Sequence, residues 1–475
     1  MLNNIQEFYN ILPLIIIGGL ILISLVIEIY SESSEKILPW LSILGFLFAG
    51  IYSLVEVGRT SIVLQNMLAT GGVVNIFWLI FNIAAAIVCL LSINYIKKYG
   101  AYYGEYYIII QISVLGMMLM AGAKDLIVIF LGLEVMSISF YVLAGFNRNR
   151  SSANEASLKY FLLGAFATGF LVYGIALIYG KATTTSIDAI SLNFTALSGD
   201  VLFLAGVLLF LIGFSFKIAA FPFHMWVPDV YQGSPTTVAG LFSTAGKAAG
   251  FSALIVTFAA LFGGPNSQLF TPYLSAIAVF SMLFGSIVAI MQTDIKRMLA
   301  YSSIAHAGYM LIGLASGNID GVAGIIFYLA AYSFMNLAAF GIVSILEGKE
   351  ETNLDLDSYV GLGTRSPLLA GLFALIMFAL AGIPPFAGFF GKYYVFIAAI
   401  KSDLTWLAMV GILTSVISVY FYLRLVVIMY FKSSESEEKI SYTASEIIAV
   451  VIAVFFVIIL GLAPGSFIDL ITKFL

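Results

Sequence analysis

Residues 210–230 read FLIGFSFKIAAFPFHMWVPDV, an apolar run interrupted by Lys217, Pro222, Pro228 and Asp229. Proline removes a backbone donor and its ring clashes with the preceding turn. A span of about 30 residues at 200–230 should therefore be two half-helices joined by unwound backbone. Such backbone is tolerated at membrane depth only where protein buries it or where it lines a wet cavity. A lysine beside the break sharpens the point, because a charge in hydrocarbon costs roughly 3 kcal/mol or more on insertion scales and needs partners or a use.

That the surroundings are hydrocarbon follows from composition. Of 475 residues, 61% are hydrophobic and 10% charged, and the mean hydropathy is +1.07, which leaves no room for a sizeable soluble domain. Apolar stretches of about 20 residues, the length a hydrocarbon core requires, lie near 11–30, 37–57, 73–95, 106–122, 125–146, 155–179, 200–230, 235–262, 271–292, 298–316, 321–346, 366–400, 404–431 and 444–463. The expected class is an all-α polytopic membrane protein of about fourteen transmembrane helices. The N-terminus lacks a basic region and a small-residue cleavage site, so the first span is expected to be retained. Loops after odd-numbered spans carry twelve basic residues, among them Lys97, Lys98, Arg148, Arg150, Lys349 and Lys439; the other side carries five, Arg59, Lys124, Lys181, Lys401 and Lys473. This bias places the odd loops in the cytoplasm and both termini on the outer face.

The twelfth span repeats the anomaly of the seventh. It is about 35 residues long and contains Gly382, Pro384, Pro385, Gly388, Gly391 and Lys392. Helices 7 and 12 are five apart and cross in opposite directions, as two inverted five-helix repeats, helices 4–8 and 9–13, would require. The expected organisation is 1–105 for the first three helices, 106–262 and 263–432 for the repeats, and 433–475 for a loop and helix 14. Broken helices at matching positions of two repeats point to a transport site.

Four lysines lie inside spans, Lys159, Lys217, Lys247 and Lys392, accompanied by one similarly placed carboxylate, Glu134. Burial disfavours the charged form of a lysine and a nearby carboxylate restores it. A lysine whose distance to Glu134 changes would bind and release a proton, and the charge could pass along Glu134, Lys159, Lys217 and Lys247 toward the second repeat. Arginine would not serve, since it stays charged. The bland alternative is a scaffold in which these groups tie helices together. His224 and His306 are possible relays, with Tyr301 beside them; Tyr309, Ser302, Ser303 and Thr244 either order water or pack helices. Two histidines so far apart offer no local metal geometry, and the single Cys89 makes neither a disulfide nor an iron–sulfur site. No Gly-rich nucleotide fingerprint follows a strand pattern, so no cofactor is expected on this chain. The acidic stretches 347–357 and 433–439 read as solvated cytoplasmic loops.

The run 216–236, FKIAAFPFHMWVPDVYQGSPT, resembles the signature of the antiporter-like subunits of respiratory complex I and of Mrp-type sodium/proton antiporters. The resemblance extends to Gly132-Leu133-Glu134, to EASLKYF at 155–161, to Lys247, and to MQTDIKRMLAYSSIAHAGY at 291–309. It is strongest to the N-type branch, called subunit 2 in mitochondria and plastids. The chain stops soon after helix 14 without a long lateral helix, and it has Lys392 where the M-type sister has glutamate. The resemblance implies one proton-translocating module of a redox-driven pump, a non-redox subunit of NADH:quinone oxidoreductase in a bacterial inner membrane. It implies Glu134 and Lys217 as a central pair, Lys159 as its modulator, Lys247 as connector and Lys392 as terminal proton site. FMN, iron–sulfur clusters and quinone would sit on other subunits. The implied partners are lipid and the M, K and J subunits with the rest of the membrane arm, not nucleic acid. An Mrp-type antiporter subunit and a membrane subunit of an energy-converting hydrogenase are the alternatives.

Overall fold

A computed structural model of the chain describes residues 7–262, 269–348, 352–433 and 440–475. Among the described residues, twelve helices are long and apolar enough to cross a membrane. They begin with α1 (Leu12–Tyr30), α2 (Ser34–Val55), α3 (Gly72–Lys98), α4 (Glu105–Gly122), α5 (Leu126–Ala144) and α6 (Ser151–Ala182). The seventh crossing is split into α7 (Val201–Lys217) and α8 (Trp226–Gly233). The eighth is one rod made of α9 (Thr236–Leu241), a π turn at Phe242–Gly246 and α10 (Lys247–Phe262). Then come α11 (Thr271–Ile290), α12 (Ile295–Ala315) and α13 (Ile319–Leu346). The twelfth crossing is split into α14 (Pro367–Ala381) and α15 (Ala387–Lys401), and α16 (Thr405–Phe431) and α17 (Ala444–Leu462) complete the bundle. Fourteen crossings with the seventh and twelfth broken is the architecture expected from the prolines and glycines.

The two ends of the bundle sort by loop parity. At one end Asn10 Nδ2 donates to Ser61 Oγ at 2.9 Å, Leu68 bridges Ala123, Asp125 bridges Ser186, and Asn318 Nδ2 donates to Ser402 Oγ at 2.7 Å. Phe474 lies against Gly72 at this same end, so the N-terminal segment, the loops after even-numbered crossings and the C-terminal segment share it. At the other end Asp294 bridges Asp355, Lys296 Nζ donates to Ser234 O at 2.7 Å, and Tyr99 OH donates to Gly348 O at 2.9 Å. Those residues belong to odd loops or, for Lys296, to the first turn of the helix that follows one. The link between the fourth and fifth crossings is only three residues, yet Asp125 accepts from Ile127 N at 2.8 Å and caps α5. An oxygen there satisfies one of the donors a helix N-terminus leaves orphaned. Asp200, Asp294 and Asn318 cap α7, α12 and α13 in the same way.

Small residues let the helices touch backbone to backbone, as membrane packing favours. A Cβ on Gly116 of α4 would stand 2.6 Å from Gly132 O of α5, and one on Gly285 of α11 would stand 2.6 Å from Ala305 N of α12. These pairs are crossings 4–5 and 9–10, the same step of each expected repeat. The centre is formed by α9, α10, α12 and α13, while α1, α6, α16 and α17 lie outside with long apolar side chains exposed.

Several short elements lie outside the expected spans. A two-stranded hairpin, β1 (Ser61–Val63) with β2 (Leu68–Thr70), pairs Ser61 with Thr70 between the second and third crossings. Two short helices, Ile187–Leu192 and Phe194–Leu197, occupy the loop after α6, and α18 (Pro464–Lys473) follows α17. One expectation is overturned. Glu347 was read as the start of a solvated loop, but it has 0% exposure. Its Oε2 accepts from Tyr95 OH at 3.0 Å and Thr236 Oγ1 at 2.6 Å. Arg150 Nη1 stands 3.7 Å from Oε1, near enough to attract it and too far for a hydrogen bond. Lys98 Nζ donates to the Glu347 carbonyl, and the Arg150 guanidinium lies 4.1 Å over the Tyr99 ring. An acidic composition suggested surface; the donors of three other segments make burial tolerable. Residues 349–351 and 434–439, with Lys349 and Lys439, lie outside the described residues.

Candidate proton path

Lys217 is the last residue of α7. The chain unwinds after it: Ala219 takes a positive φ of 65°, and Trp226 Nε1 donates to the Phe216 carbonyl at 3.0 Å, satisfying an acceptor the broken helix frees. The Lys217 ammonium donates to Ser137 Oγ at 2.7 Å and sits 3.4 Å from Tyr141 OH. The rings of Tyr141, Phe216 and Tyr160 lie 5.4, 5.6 and 5.7 Å away. The Ser137 hydroxyl spends its own proton on Leu133 O at 2.5 Å, so it presents a lone pair to the lysine. Glu134 sits one turn before Ser137 and accepts from Thr168 Oγ1 at 2.8 Å. Among the described residues no ion pair joins Glu134 to Lys217; serine and tyrosine stand between.

The next lysine lies directly after the π turn. Lys247 Nζ donates to Ser303 O of α12 at 2.6 Å and faces the Tyr332 ring at 5.7 Å. Three residues on, His306 Nδ1 is 2.8 Å from Tyr328 OH and Nε2 is 3.0 Å from Tyr422 OH, which meets Ser302 Oγ at 2.5 Å. Either ring nitrogen can carry the proton, since each hydroxyl can donate or accept. Three residues further, the Tyr309 ring lies 5.1 Å from Lys392 Nζ. Lys392 donates to Ala381 O at 2.9 Å, Ser415 Oγ at 2.8 Å and Leu380 O at 3.3 Å. The two carbonyls end the half-helix α14, whose dipole attracts a cation there. One face of α12, with Ser303, His306 and Tyr309, thus lies between Lys247 and Lys392 and touches both. Lys217, Lys247 and Lys392 have 7%, 2% and 4% exposure, so none of them can snorkel to water.

Gly382 holds the break open beside Lys392. Its φ is 87°, and a Cβ there would meet Lys392 Nζ at 3.0 Å. Gly382→Ala is expected to cost about 1–2 kcal/mol from the left-handed backbone alone and to displace the ammonium from Ala381 O. A lower melting temperature of the purified assembly, together with slowed proton movement, checks this.

The other expected residues lie elsewhere. Lys159 has a side chain 41% exposed and is paired at 2.7 Å with both Glu155 Oε1 and Asp229 Oδ2. It is nine residues, about 13 Å along α6, from the Thr168 that holds Glu134. His224 stacks on Phe221 with centroids 5.4 Å apart, meets the Phe284 ring at 4.6 Å, and its Nδ1 has no hydrogen-bond partner. Tyr301 is half-buried with its ring 6.3 Å from Phe284. Thr244 turns its hydroxyl back to Gly240 O at 2.7 Å. Ser137, Tyr141, Tyr328, Tyr422 and Ser415 escaped the sequence reading because a single hydroxyl in an apolar span carries no pattern. Asp229 did have a signal, as a carboxylate inside the proline-broken run. Among the described residues no group of three or more His, Cys, Asp or Glu could hold a metal.

Comparison with known proteins bears on this arrangement. Residues 123–418 match the family model described as NADH:quinone oxidoreductase/Mrp antiporter, transmembrane. The chain is 42% identical to NADH-quinone oxidoreductase subunit N 1 of Chloroherpeton thalassium over 98% of both chains. It is 44% identical to subunit N of Trichlorobacter lovleyi over 96% of this chain and 94% of the other. Among solved structures it resembles a chain of respiratory complex I from Thermus thermophilus, with 31% identity, TM-score 0.83 and coverage of 97% and 99%. An Mrp complex from Dietzia shares the fold at TM-score 0.85 with 18% identity, covering 98% of this chain and 96% of that one. The chain therefore belongs to the NADH:quinone oxidoreductase/Mrp antiporter transmembrane family, on its subunit N branch.

Proposed function

We propose that the chain carries protons across the membrane as a non-redox subunit of an NADH:quinone oxidoreductase. The observation that carries this reading is the face of α12 that touches two buried lysines and places between them a histidine with a hydroxyl on each ring nitrogen. Lys217 with Ser137 and Tyr141 serves the first repeat, Lys247 connects, and Lys392 ends the path; Glu134 tunes Lys217 across one helical turn. FMN, iron–sulfur clusters and quinone belong to other subunits, and the sister membrane subunits supply the drive. Shifting a lysine's proton affinity by one pKa unit takes only about 1.4 kcal/mol, within reach of an electrostatic signal from a neighbour. The membrane is the bacterial inner membrane, with the odd loops cytoplasmic and both termini outside.

Inverted vesicles from a strain lacking this chain test the reading. Loss of NADH-driven acidification, restored by the intact chain, is the expected result. Survival of that acidification with loss of sodium or alkali tolerance would instead make the chain an antiporter subunit.

A further inference from the structure

Lys159 is bound at the cytoplasmic end by a carboxylate that the family resemblance did not assign. Asp229 divides its two oxygens between cations of different repeats: Oδ2 takes Lys159 Nζ at 2.7 Å and Oδ1 takes Arg297 Nη1 at 2.7 Å. A ring of bonds fixes the arginine side. Arg297 Nη1 also donates to Gln232 Oε1 at 3.0 Å, Gln232 Nε2 donates to Asp294 Oδ2 at 3.1 Å, and Asp294 Oδ1 accepts from Arg297 N at 2.8 Å. The second partner of Lys159, Glu155, has a side chain 66% exposed against 37% for Asp229. Solvent and salt weaken the Glu155 pair more, so Asp229 is the group that holds the lysine. A cavity of about 650 Å³ opens beside them, lined by Lys159, Asp229, Asp294 and Asp355 among others.

Three elements of the candidate path meet at this carboxylate. Lys159 rides on α6, whose Thr168 is bonded to Glu134; Asp229 rides on α8, the second half of the helix that carries Lys217; Arg297 opens α12, which carries Ser303, His306 and Tyr309. We propose that Asp229 is a positioning residue that fixes Lys159 by its charge alone and couples it to the second repeat through Arg297. This rests on the proton-translocation reading above. Lys159 is then a held cation, not a carrier: with both oxygens of Asp229 in use, any movement of α12 that draws Arg297 away alters the hold on Lys159, and the reverse.

The experiment compares Lys159→Arg with Lys159→Gln in NADH-driven acidification of inverted vesicles, normalised to assembled complex on native gels. Lys159 is half-exposed, so neither variant endangers folding. An arginine keeps the ion pair to Asp229 but stays protonated. The expected result is pumping within about two-fold of wild type for Lys159→Arg and a loss of about five-fold for Lys159→Gln, the low end of measured couplings between sites. Asp229→Asn should match Lys159→Gln, Asp229→Glu should restore most of the rate, and Lys159→Gln should add nothing in the Asp229→Asn chain. A dead Lys159→Arg, or losses that multiply in the double variant, would overturn the proposal. Lys217→Ala in the same membranes separates the two levels: if it too pumps normally, the proton-path reading fails and this inference falls with it.

Discussion

Lys217→Ala is expected to leave an assembled complex that acidifies inverted vesicles about 100-fold more slowly, the low end of what loss of a positioned proton-transfer group does. The size follows from isolation. Around the ammonium stand one serine lone pair, one phenol and three ring faces, and among the described residues no ion pair joins it to Glu134, whose Oε1 accepts from Thr168. No neighbouring base is close enough to take over. Alanine leaves the Ser137 hydroxyl on Leu133 O, so helix packing should persist, and the loss should appear in pumping and not in assembly. Lys217→Arg is expected to be almost as damaging: the guanidinium does not release its proton, and its planar fork would have to fit a cage of rings shaped around a point charge. Vesicles carrying either variant that acidify at the wild-type rate would sink the path.

Glu347→Ala should show the opposite signature, a loss of assembly before a loss of chemistry. Removing the carboxylate takes an anion from beside Arg150, whose side chain is 16% exposed, and the acceptor from the Tyr95 and Thr236 hydroxyls. Removing one member of a buried ion pair costs about 3 kcal/mol or more because the other is left uncompensated. Four segments meet there, from α3, the link before α6, the start of α9 and the end of α13, so the damage is to this whole end of the bundle. Glu347→Gln keeps an acceptor for Tyr95 and Thr236 and should cost about 1–2 kcal/mol. Melting of the detergent-solubilised complex, read by retention of this chain on native gels, separates the two; equal melting of Glu347→Ala and wild type would show that the carboxylate holds nothing.

The contrast between these residues explains what was legible in the sequence. Lys217, Lys247 and Lys392 stand out because a charge in an apolar run of known length has few bland explanations, and the prolines beside Lys217 and Lys392 mark the breaks. The number of crossings was legible for the same reason, since span length is a local property. Partners are not local. Lys217 meets Ser137 across 80 residues, Lys159 meets Asp229 across 70, and Glu347 meets Tyr95 across 252. Lys159 was grouped with the buried lysines because span boundaries read from hydropathy are uncertain by about a turn; α6 begins at Ser151, four residues earlier than expected, yet the lysine still reaches the surface. Glu347 failed in the other direction, a carboxylate at a helix end taken for solvent-facing when its partners lay far away in the chain.

The two broken helices run in opposite directions, and their lysines stand on opposite sides of the breaks in chain order: Lys217 ends its first half-helix, Lys392 lies in its second. Comparing the repeats residue by residue therefore finds no lysine facing lysine. Yet the Lys392 side chain reaches back to Leu380 O and Ala381 O, the end of its own first half-helix, which is the station Lys217 occupies in the other repeat. The Lys217 ammonium crosses to Ser137 of α5, whereas the Lys392 ammonium folds back onto the carbonyl end of α14. A shift of α5 against α7 would therefore move the partner of the first charge, while opening the gap of the twelfth crossing itself would loosen the second.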